Sequence, residues 1–83
     1  MINENEIARC VRKAMDGYFR DLDGERPCAI YDMVISSVER PLLELVLSRV
    51  EGNQTRAAQF LGMNRNTLRK KIKDLEIQVF RGG

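Results

Sequence analysis

The sequence predicts an all-α protein, and three observations carry that expectation. Apolar residues return at intervals of three and four over four stretches. Turn-forming residues separate those stretches, at Asp23 and Gly24, Pro27, Gly52 and Gly62. The last two stretches are short and meet at a Gly-Met-Asn turn, residues 62 to 64, in the outline of a helix-turn-helix.

Met1 to Glu6 is polar and is expected to fray. A first helix follows, with Ile7, Val11, Ala14, Met15, Tyr18, Phe19 and Leu22 on one stripe, and the turn residues after Leu22 stop it. The second pattern, from Ala29 to about Val50, is apolar nearly all round, through Ile30, Tyr31, Met33, Val34, Ile35, Val38, Leu42, Leu43, Leu45, Val46, Leu47 and Val50. Such a helix must be covered nearly all round. A helix of roughly 20 residues is ~30 Å long, and an 83-residue chain has too little other protein to surround it. A second copy supplies the cover, so a homodimer is expected. Pro41 lies inside this pattern and is expected to kink it.

Gly52 is expected to end the long helix in the left-handed conformation, and Asn53 or Thr55 to open the third. Ala57, Ala58, Phe60 and Leu61 are expected on the inner face of that helix, with Ala58 small enough for close crossing. Gly62 supplies the turn, Met63 packs beneath it, and Asn64 opens the last helix, whose buried stripe is Leu68, Ile72 and Leu75.

Composition narrows the chemistry. There is no histidine, which removes His-based general base catalysis and His-ligated metal sites, and no recognisable cofactor motif or paired acids point to an enzyme. No cofactor and no small-molecule substrate are expected. Cys10 and Cys28 are expected as inert, packed thiols in a reducing compartment. With no apolar run near the ~18 residues that span a bilayer, and no signal-peptide pattern, the expected location is the cytoplasm, without membrane association.

The net charge of +2 conceals an asymmetry: seven basic and ten acidic side chains precede Asn53, and seven basic and two acidic ones follow from there. A basic end suits a polyanion. On a helical wheel at about 100° per residue, Asn66, Lys70 and Lys73 lie opposite Leu68, Ile72 and Leu75, flanked by Arg69. The last helix is therefore expected to enter DNA with its basic side outward. Its first residues reach base edges in this motif, which makes Arg65 the candidate for guanine, with Asn64, Asn66 and Thr67 touching bases or nearby phosphates. Arg69, Lys70, Lys71 and Lys73 fit phosphate neutralisation, and Asn53, Thr55 and Arg56 add contacts from the preceding helix. Asn64 alone as a cap, Thr67 satisfying a carbonyl, and Lys71 lying along the packed flank are the plainer alternatives. The nucleic acid expected is double-stranded DNA.

At these residues the sequence resembles the Fis family of bacterial nucleoid-associated proteins, through GNQTRAA, LGMNRNTLRKK, VRKAMDGYFRDLDG and VERPLLELVL. The resemblance covers roughly Ile7 to Leu75. It implies four helices per subunit, the first two interlocked in a dimeric core, and a cytoplasmic protein of the nucleoid that binds degenerate sites, bends DNA and regulates transcription. It also implies DNA contacts at Asn53, Thr55, Asn64, Arg65, Thr67, Arg69, Lys70 and Lys73. Two departures stand out: Met1 to Glu6 is shorter than the β-hairpin arm with which longer members contact a DNA invertase, and Asp74 occupies a place where a lysine is expected. The chain is thus divided into dimerisation helices (1–50), a helix-turn-helix (51–75) and a tail (76–83). The competing readings are the C-terminal DNA-binding module of a sigma-54 enhancer-binding activator and a dimeric protein-interaction adaptor.

Overall fold

The computed structural model describes residues 4–78, and its order is α1 (Glu6–Leu22), α2 (Ile30–Arg49), α3 (Gln54–Leu61) and α4 (Arg65–Asp74). Among the described residues there is no strand, so the protein is all-α as the periodicity predicts. The chain divides into two compact units, one ending at Ile30 and one beginning at Tyr31. Val79 to Gly83, the far part of the expected tail, and Met1 to Asn3 of the expected frayed start lie outside the described residues.

In the first unit Asn5 opens α1, its side-chain oxygen accepting from the Ala8 N–H at 2.8 Å. Glu6 in the first turn and Arg20 in the last complement the helix dipole. Glu4 forms an ion pair with Arg12, and its carboxylate, accepting from the guanidinium, raises the Arg12 pKa further. The helix stops where expected, through positive φ at Asp23 and Gly24. Cys10 and Cys28 are both exposed. This corrects the expectation of packed thiols: Cys10 lies off the apolar stripe of α1, and Cys28 sits in the connection after Pro27.

In the second unit α2 begins one residue later than the pattern suggests, because Ala29 turns the chain with φ 51°. It continues through Pro41. The core of the unit is Leu43, Leu47 and Val50 from α2, Ala57 and Ala58 from α3, Leu68 and Ile72 from α4, and Ile77 beyond it. Val46, Leu61, Met63 and Leu75 pack against its margin. Ile77 was assigned to the tail from sequence and instead belongs to this core. The end of α2 likewise shares one core with the helix-turn-helix, across the 50/51 division drawn from sequence.

Three helices in this unit end the same way. The N–H of Gly52 donates to the Leu47 carbonyl at 2.8 Å and that of Glu51 to Ser48 at 3.2 Å; Met63 donates to Ala58 at 3.0 Å and Gly62 to Gln59 at 3.2 Å; Ile77 donates to Ile72 at 3.0 Å and Glu76 to Lys73 at 3.1 Å. This is the paired bonding of a Schellman motif, which needs a left-handed residue just past the helix. That residue is Glu51 (φ 54°), Gly62 (φ 73°) and Glu76 (φ 53°) in turn. Gly62 is as expected. At the end of α2 the closing residue is Glu51 rather than Gly52, although Gly52 also has positive φ, at 82°. The hydrogen-bond register set by Leu47 places the turn one residue earlier than the glycine suggests.

One face of α2 is bare. Tyr31, Ile35, Val38, Leu42 and Leu45 are all exposed, Tyr31 by 75% and Leu45 by 65%. They are spaced four, three, four and three apart, on the side of the helix away from Leu43 and Leu47. Among the described residues no helix is long and apolar enough to cross a membrane.

Candidate nucleic-acid interface

The site is built on the two short helices and the turn between them. Asn53 opens α3 in preference to Thr55: its side chain accepts from the Arg56 N–H at 3.1 Å. Thr55 then falls in the first turn of α3 and, with Arg56, is exposed. Asn64 opens α4, accepting from the Asn66 N–H at 2.7 Å. With Ala57 and Ala58 buried, no long side chain separates the crossing helices, and α3 and α4 pack closely. Leu68 is fully buried and Ile72 nearly so, which fixes the rotation of α4 about its own axis.

That rotation decides what the helix presents. Asn64, Arg65, Asn66, Thr67, Arg69, Lys70 and Lys73 are all exposed, with Asn66, Lys70 and Lys73 opposite Leu68 and Ile72. The first turn of α4 has no acidic residue. Among the described residues, Arg65, Arg69, Lys70 and Lys73 take part in no ion pair. Asp74 is also exposed, on the outward side near the end of the helix. The surface can therefore place several cations against a polyanion, with the exposed side chains of Asn66 and Thr67 beside them and the Asn64 oxygen held by its cap.

Lys71 stands apart from this set. Its Nζ donates to Glu39 Oε2 of α2 at 2.7 Å, with both side chains mostly covered, at 35% and 26% exposure. The wheel sets Lys71 at the boundary of the packed stripe, which brings its ammonium group within reach of α2. Glu39 was not singled out from sequence, since nothing in the spacing links residues 32 apart.

Phe60 is the other departure. It was expected on the inner face of α3 and is 62% exposed, with the Arg56 guanidinium carbon 5.7 Å from its ring centre. A wheel holding Ala57, Ala58 and Leu61 together sets Phe60 roughly a third of a turn away. Hydrophobicity outweighed position in that expectation.

The comparisons with known proteins agree with this geometry. The profile of the family described as "Bacterial regulatory protein, Fis family" matches residues 34–75. A Fis-like DNA-binding protein of Ralstonia nicotianae is 54% identical over 72 residues, which are 87% of this chain and 94% of that protein. The DNA-binding protein Fis of Psychromonas ingrahamii is 47% identical over 72 residues, 87% of this chain and 73% of its own. The DNA-binding transcriptional regulator NtrC of Azospirillum brasilense is 52% identical over 77 residues, 92% of this chain but 16% of the regulator. With its helix-turn-helix inside the profile match and more than half of the aligned residues shared with a relative over nearly all of that relative's length, the chain belongs to the Fis family.

Proposed function

We propose that the protein is a DNA-binding regulator of the bacterial nucleoid, in which a homodimer seats α4 of each subunit in the major groove and bends the duplex. The observation that carries the reading is the outward face of α4: four exposed cations with no carboxylate partner among the described residues, on a helix held in rotation by Leu68 and Ile72. Arg65 and the groups around it, Asn64, Asn66 and Thr67, are the base-edge set. Arg69, Lys70 and Lys73, with Asn53, Thr55 and Arg56 from the start of α3, are the phosphate set. Lys71 is left out of it because Glu39 holds it.

Two copies are supported by the bare face of α2. Five apolar residues repeating at four and three form a seam of the kind that pairs one helix with another, and the apolar cost of leaving it in water is removed by a second copy. Successive major grooves lie ~34 Å apart, the family resemblance implies that the two reading helices of the dimer sit closer than that, and such a dimer seats both only by bending the duplex. Bending selects deformable centres without touching them, so sequence preference is modest. The work is binding rather than catalysis, on the chromosome in the cytoplasm. The match over 94% of the Ralstonia protein supports this small-protein reading above that of a module from an NtrC-type activator, of which 16% is matched.

A salt titration against duplex DNA tests the reading. Affinity should fall by ~10³ or more between about 50 and 200 mM salt if six phosphates are neutralised. A dimeric adaptor for an acidic protein would bind duplex weakly at both ends of that range. Circularly permuted duplexes in the same gel-shift format test the bend: mobility independent of site position would remove it.

A further inference from the structure

The geometry points to Phe60 as a positioning residue for DNA binding, holding the Arg56 guanidinium ready for a phosphate. This rests on the reading above, in which the start of α3 faces the DNA backbone. The Phe60 ring is 62% exposed, which leaves its face open to a neighbouring side chain on the surface of α3. Phe60 carries the Arg56 guanidinium, one turn earlier, over its ring, at 5.7 Å from guanidinium carbon to ring centre.

The direction of the contact follows from helix geometry. Side chains on a helix lean toward its N-terminus, so a ring at position 60 covers the turn that carries residue 56. The Arg56 backbone is fixed as well, because its N–H donates to Asn53 at 3.1 Å. α3 carries no carboxylate that would draw the cation elsewhere. A free arginine side chain loses rotamer entropy when it meets a phosphate, and a ring that already restricts it reduces that loss. The planar guanidinium can lie on the ring by its face and still offer its edge donors to phosphate oxygens.

The test is a double-mutant cycle of Phe60→Leu and Arg56→Ala, read as affinity for one duplex over a range of salt, with Phe60→Tyr as the conservative control. Leucine is the better helix former, so a loss of affinity in Phe60→Leu is not a loss of α3. Phe60→Leu should weaken binding about two- to fivefold in the parent and leave it unchanged in Arg56→Ala, since an exposed cation–π contact is of that size. Phe60→Tyr, which keeps the ring, should bind as the parent does. Arg56→Ala alone should weaken binding and flatten the salt slope by about one unit. The inference is overturned if Phe60→Leu costs as much in Arg56→Ala as in the parent, if it shifts the monomer–dimer equilibrium in sedimentation, or if Arg56→Ala leaves affinity intact. A parent that binds no duplex even at about 50 mM salt would overturn the proposed function itself, and this inference with it.

Discussion

Glu51 and Arg65 carry the consequences that belong to single residues. An L-residue in the left-handed region costs about 1–2 kcal/mol where glycine does not, and Glu51 holds φ 54° in the turn that closes α2. Replacing it with glycine, less the added chain entropy, should stabilise the fold by ~0.5–1 kcal/mol. For a domain of this size that raises Tm by a few degrees at equal protein concentration. An unchanged Tm would mean that the Glu51 side chain has a compensating role. Arg65→Ala should weaken binding and relax the preference for guanine at one position of each half-site, by ~1–3 kcal/mol of discrimination. Equal losses on every duplex would make Arg65 a phosphate contact instead. At this scale the cap at Asn64 was legible from sequence and that of α3 was narrowed to Asn53 or Thr55, because a side-chain oxygen just before an apolar run can accept from the free N–H groups of the first turn. The closing residue of α2 was not: a glycine next to a position that needs positive φ attracts the assignment, while the bonding register is set by Leu47.

Among the elements, α4 is joined to α2 by more than apolar contact. The Lys71–Glu39 pair lies about a third exposed at Lys71, so its contribution is that of a screened ion pair, below ~1 kcal/mol. In the proposed complex the pair holds one cation of α4 away from the phosphates. Lys71→Met should leave the salt dependence of DNA binding unchanged, whereas Lys73→Ala should flatten it by about one unit. A flattened slope for Lys71→Met would return Lys71 to the phosphate set. The four helices could be read from sequence because their apolar periods are local. The Glu39–Lys71 pair and the exposure of Phe60 depend on how helices cross and rotate, and a period along one helix does not fix its angle to the next.

For the whole molecule, the bare face of α2 is the seam of the proposed dimer. Leu45, 65% exposed in the single chain, can accept a charge without disturbing the core of its own subunit. In the proposed dimer it lies on the seam, where a buried carboxylate has no partner. Leu45→Glu should therefore sediment near the 9.6 kDa of one chain while keeping its helix content, and the parent should sediment as a dimer at micromolar concentration. A monomeric parent would remove the seam. The excess of apolar surface on α2 was legible in the sequence, because apolar residues cover too much of the helix for one chain of this length to bury. Which of them one chain buries by itself was not, since Leu43, Leu47 and Val50 meet their partners across the turns.

That sharing sets the size of the smallest piece that could be grafted onto another protein. A segment cut at Gly52 would carry the proposed contacts for DNA and leave Ala57, Ala58, Leu68 and Ile72 facing water where Leu43, Leu47 and Val50 had been. The transplantable cassette has to begin within α2, ahead of Leu43, so any fusion that borrows the reading helices inherits part of the rod on which they are mounted.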